Sequence, residues 1–160
     1  MITEPKLRKV IGLRNIVTIK DPLPRWEYLL FYDKDDATQE DINKIIHYLD
    51  TPNMNMSYLI YRTKAGIHVI GLTPMNAENW GIVFQELQRL VPEYYSGQTI
   101  RVSRKQNETQ SLIYYNLNYP VIYNLVMMYQ KRFPEMRLSF GGKLLRNYKI
   151  VFEKYWSYKL

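Results

Sequence analysis

The chain has 160 residues, 46% of them hydrophobic, the size and apolar content of one ordinary domain with a buried core. It contains no cysteine, which excludes disulfides and thiolate zinc sites and leaves only Asp, Glu and His as metal ligands. A formal net charge of +7 points to a polyanionic partner, nucleic acid foremost, because lysines and arginines that neutralise phosphates release condensed counterions.

The first element, residues 8–20, reads as one or two short strands, followed by a Pro-flanked linker from Asp21 to Trp26. Glu27 to Asp33 (EYLLFYD) is a short apolar run suited to a buried central strand. Thr38 and Asp41 then open a helix to Leu49 whose Ile42, Ile45, Ile46 and Leu49 share one face. Ser57 to Thr63 and Ile67 to Thr73 read as a hairpin with Lys64, Ala65 and Gly66 in its turn. Trp80, Val83, Phe84, Leu87, Leu90 and Val91 mark a second amphipathic helix ending before Pro92. Gln98 to Arg104 alternates as a strand does, Ser111 to Leu117 reads as another, and Pro120 to Arg132 forms a third helix. A Gly141-Gly142 turn and a last strand, KIVFEKYW, close the chain.

The fold class expected is α+β, with a ferredoxin- or RRM-like βαββαβ core sheet over residues 27–105. N-terminal strands are added to it, and residues 106–160 form a C-terminal extension packing on the core, all within a single domain. Right-handed crossovers place the first and third core strands side by side at the centre of the sheet. No run approaches the roughly 18 consecutive apolar residues of a membrane span, and the N-terminus is charged. A soluble, intracellular protein is therefore expected.

That topology brings Asp33 and Asp35, at the end of the first core strand, beside His68, at the start of the third. Two carboxylates one residue apart suit Mg²⁺ or Mn²⁺, hard cations that bind nucleotide phosphates at the same time. The alternative for Asp-Lys-Asp-Asp is an ordinary turn leading into a capped helix, and for His68 a satisfied sheet histidine.

The sequence LLFYDKDD, then a helix, then YRTKAGIHVI resembles the palm of the archaeo-eukaryotic primase superfamily, the primase-polymerases, over roughly residues 27 to 105. The resemblance implies metal-dependent nucleotidyl transfer on DNA or RNA, with Asp33 and Asp35 holding divalent metal and His68, in Ala65-Gly66-Ile67-His68, contacting the incoming nucleotide. Arg101, Ser103, Arg104 and Lys105 resemble a basic phosphate-contacting stretch on a later strand. The family's third carboxylate has no counterpart at the end of an apolar strand; Glu78, Glu86, Glu93 and Glu108 are the acids available.

Other classes remain open. A non-catalytic nucleic-acid module would stack bases on Phe31, Tyr58 and Tyr61 and hold phosphates with Arg62, Lys64, Arg101, Arg104 and Lys105. A rolling-circle type nuclease would use a tyrosine such as Tyr123 or Tyr129, but His68-Val69-Ile70 lacks the second histidine of that motif. An interaction protein would dimerise through a sheet edge or recruit a partner subunit. The fifteen tyrosines suit a nucleic-acid groove where they sit beside basic residues, and a half-buried β surface elsewhere.

Overall fold

A computed structural model describes residues 6–20, 22–93, 99–101, 110–136 and 142–159. Among these residues it is a mixed α+β structure with three helices and mostly antiparallel sheets. Strand β1 (Lys6–Ile19) is one long strand with a bulge between Leu13 and Val17. It pairs with β10 (Tyr148–Lys159) on one side. On the other it pairs with β2 (Arg25–Tyr28) and with β6 (Thr99–Arg101).

The second sheet runs β3 (Phe31–Asp35), β5 (Gly66–Gly71), β4 (Tyr58–Arg62) and β7 (Ser111–Asn116), all antiparallel. Helices α1 (Gln39–Leu49) and α2 (Ala77–Leu90) cover one of its faces. Thr38 and Asp41 form the expected capping box at the start of α1, and Asn76 caps α2 by accepting the Asn79 N–H at 2.8 Å. Ile42, Ile45 and Leu49 from α1 and Val83 and Leu87 from α2 pack there on Tyr32, Tyr58, Ile60, Ile67 and Val69. Helix α3 (Tyr123–Arg132) and the inner side of the first sheet cover the opposite face. There Leu13, Val17, Phe31, Tyr61, Ile70, Leu125 and Tyr129 form a second core. Strand β4, wedged between the two, is buried from Tyr58 to Tyr61.

Several sequence expectations change. The run from Glu27 to Asp33 is cut at Leu29 and Leu30, so Arg25 to Tyr28 join one sheet and Phe31 to Asp35 the other. Asn15, buried at the β1 bulge, fastens that joint: its carbonyl accepts the Leu29 N–H at 2.7 Å and its amide reaches the Leu29 carbonyl at 3.4 Å. The first and third core strands are neighbours, as β3 and β5. The fourth strand of the expected order, β6, lies against β1 instead, where Ile100 stands opposite Leu13 and joins its core. Residues 120–122 are not helical: Val121 and Ile122 form β8, which pairs in parallel with β9 (Leu144–Leu145).

Gly66 is the first residue of β5 and lies outside the turn. The loop is Lys64–Ala65, closed by the Thr63 N–H on the Gly66 carbonyl at 2.8 Å and by the Gly66 N–H on Thr63 Oγ1 at 3.0 Å. Its lack of a side chain serves close approach: a Cβ there would overlap the Lys34 carbonyl of β3. No helix among the described residues is long and apolar enough to cross a membrane.

Candidate functional site

Strand β3 delivers three acids to one end of its sheet. Asp33 and Asp35 alternate onto the side of Phe31, and Asp36 leaves the strand with a left-handed φ of 52°, its N–H bonded to the Ala65 carbonyl at 2.8 Å. Asp33 stands opposite His68, and His68 stands opposite Tyr61 on β4. Three neighbouring strands thus place Asp33, His68 and Tyr61 in one row. His68 Nε2 lies 3.2 Å from Asp33 Oδ2, and His68 Nδ1 lies 2.9 Å from the Tyr61 hydroxyl.

The row runs from solvent into the core: the Asp33 side chain is 42% exposed, that of His68 19%, and Tyr61 is fully buried. Burial, with the Tyr129 hydroxyl beside it, pushes the Tyr61 phenol well above its ordinary pKa, against the pull of the Arg132 guanidinium 5.6 Å from its ring. Tyr61 therefore remains a protonated phenol beside Nδ1. An acceptor-only carboxylate at Nε2 and a hydroxyl able to donate at Nδ1 together favour the Nε2–H tautomer and orient the imidazole from below.

Asp35 is exposed, yet its carboxyl is raised above the usual range by desolvation first and then by Asp33, Glu93 and Asp36, with His68 opposing. Glu93 was the acid that sequence reasoning could not place. Three residues past the end of α2, its carboxylate accepts the Asp35 backbone N–H at 3.0 Å and lies 3.8 Å from Lys34 Nζ. Gln88 holds the Glu93 backbone by donating to its carbonyl at 2.8 Å and accepting its N–H at 3.2 Å. Only the sequence position of Glu93, just after Pro92, hinted at a return to the strand ends.

The other expected residues are dispersed. Arg62 is exposed but shares the opposite strand side with Ile67 and Lys34, and Lys64 projects from the hairpin loop. Arg101 stands opposite Gly12 in the other sheet. Ser103, Arg104 and Lys105 lie outside the described residues. Phe31, Tyr58 and Tyr61, proposed for base stacking, are fully buried, because both faces of their sheet are covered; they cannot meet a base. Tyr129 is likewise buried, its pKa raised by burial, and cannot act as an exposed nucleophile.

Among the described residues no three side chains of His, Asp or Glu converge as a metal cage. Asp33 and Asp35 offer hard oxygens at a partly exposed strand end, which fits a cation that takes most of its ligands from water and phosphate and does not fit an all-protein site. No protein-family model, curated protein or solved structure matches the chain.

Proposed function

We propose that the protein binds a divalent cation and a nucleotide at the Asp33–Asp35–His68 strand end and carries out nucleotidyl transfer there, in the manner of a primase-polymerase palm. The observation that carries this reading is the contact across β3 and β5: the acidic motif and the histidine motif, 35 positions apart between Asp33 and His68, meet at 3.2 Å on an open strand end. The chain order from β3 to β6, strand–helix–strand–strand–helix–strand, also favours a palm of ferredoxin-like ancestry, with β6 displaced onto β1.

Asp33 and Asp35 are the residues that would hold Mg²⁺ or Mn²⁺, which when bound neutralises triphosphate charge and polarises the reacting phosphoryl group. His68, its Nδ1 occupied by Tyr61, directs Nε2–H outward. With Asp33 committed to a cation, that N–H would be free to donate to a phosphate oxygen. Arg132 adds positive charge beneath Tyr61 and Lys64 lies at the adjoining hairpin loop, where each lowers the cost of bringing in a polyphosphate.

Calorimetry of Mn²⁺ and a nucleoside triphosphate on the wild type and on an Asp33→Asn, Asp35→Asn double variant tests the proposal. Nucleotide binding that requires Mn²⁺ and is lost in a folded double variant is the expected result. Absence of binding to the wild type, or equal binding to both proteins, overturns it.

A further inference from the structure

The paired strands β1 and β10 outrun the rest of their sheet. From Lys6 opposite Lys159 to Leu13 opposite Phe152 the two strands pair without interruption, and among the described residues β6 flanks β1 only at Gly12–Arg14. Beyond Gly12 the element is a two-stranded ribbon among the described residues. Its two faces differ. On one, Val10 is buried, and Thr99 and Tyr155 close over Gly12 so tightly that a Cβ there would overlap both. On the other, three successive cross-strand pairs are Lys9–Trp156, Ile11–Lys154 and Leu13–Phe152.

Of these, Trp156 is 65% exposed, Phe152 54% and Ile11 44%, and Lys9 and Lys154 are exposed as well. Among the described residues neither lysine has an acidic partner. Glu153, the acid at this end of β10, alternates to the covered face, where it lies 3.6 Å from Arg14 and accepts the Thr99 hydroxyl at 3.3 Å. The open face therefore carries uncompensated positive charge interleaved with rings. Phe152 and Trp156 are four residues apart on one strand, a separation of about 13 Å with Lys154 midway. Two bases can stack on them without stacking on each other, leaving the ammonium for the intervening phosphate.

The direction of this face matters. Leu13 and Phe31 belong to the same core; two residues onward from Leu13 comes Ile11, and two onward from Phe31 comes Asp33. The ribbon face and the Asp33–His68–Tyr61 row both continue from that core, on facing sides of the two sheets.

We propose that this face of the β1–β10 ribbon binds single-stranded nucleic acid, with Trp156 and Phe152 stacking on bases and Lys9 and Lys154 contacting phosphates. The surface is separate from Asp33, Asp35 and His68, and binding there requires no nucleotidyl transfer.

Fluorescence anisotropy of a labelled oligothymidylate of about twenty nucleotides tests it, with sedimentation velocity run on the same samples. Trp156→Ala and Phe152→Ala, both at exposed positions, are each expected to weaken binding about tenfold. The Lys9→Gln, Lys154→Gln pair should lower the slope of log K against log salt by roughly 1.4. Trp156→Ala should keep whatever Mn²⁺-nucleotide binding the wild type shows, so that failure of one proposal leaves the other standing. Unchanged oligonucleotide affinity in Trp156→Ala overturns the inference. Conversion of a dimer to a monomer with unchanged affinity also overturns it and assigns the face to a second copy of the chain.

Discussion

At the scale of single residues, the strand-end site depends on one missing side chain and one buried hydroxyl. Gly66→Ala places a methyl group into the Lys34 carbonyl, so β5 must move away from β3 just where Asp33 meets His68. The expected result is a loss of about 2 kcal/mol or more in urea unfolding, together with weakened nucleotide binding. Tyr61→Phe removes the hydroxyl that His68 Nδ1 meets in a part-buried position, at a cost of about 1 kcal/mol. In that variant the ¹⁵N shifts of His68 should report a mixture of tautomers where the wild type shows a single Nε2–H form. Asp33 and His68 were legible in the sequence because alternation and a right-handed crossover restrict where they can go. Tyr61 was not, for a reason of register. A three-residue loop of Lys64, Ala65 and Gly66 would pair Thr63 with Ile67 and set Tyr61 opposite Val69; the observed two-residue loop moves the pairing by one and brings Tyr61 onto the histidine.

At the scale of elements, the helices were the most readable parts, since capping and apolar spacing are local signals. Strand allegiance was not local. Nothing in Thr99–Arg101 distinguishes a strand that joins β3 from one that joins β1, and the break at Leu29–Leu30 interrupts an apolar run that has no glycine or proline. The junction of α1 with the sheet was equally hidden. Asp50 ends α1, where a carboxylate opposes the helix dipole, and it is held by the hydroxyls of Tyr58, at 2.8 Å, and Tyr114 and by the Asn116 amide at 3.1 Å. Three donors from two strands outweigh the unfavourable position and fasten the helix to β4 and β7. Asp50→Ala strands the buried Tyr58 hydroxyl and should cost about 2 kcal/mol, read as a shift in the urea midpoint.

At the scale of the whole molecule, the tyrosines that suggested a base-stacking groove turn out to be divided, many of them structural. Burial raises the pKa of Tyr32 to about 12, and those of Tyr58, Tyr61 and Tyr129 upward in the same sense. Each is neutral in the folded state at a pH where the unfolded chain would ionise it near its ordinary value of 10. Their contribution is therefore complete below about pH 10 and lost as pH rises, for Tyr32 between pH 10 and about 12, where it amounts to something on the order of 2 kcal/mol. Unfolding should be steeply promoted above pH 10, with phenolate absorbance appearing in two stages, exposed rings first and buried rings only as the structure opens.

The pairing of β1 with β10 joins segments from opposite ends of the described chain, and it decides the order in which the molecule can be assembled. During synthesis β1 emerges well before β10 and waits for its partner while residues 20–147 are made, whereas β3, β4 and β5 have theirs within a short stretch of sequence. Loop closure over so long a separation is entropically costly, so the four-stranded sheet and its helices form the earlier unit and the ribbon closes last. Until then Trp156 and Lys154 belong to an unpaired strand, and the face they make with Lys9 and Ile11 exists only in the finished molecule.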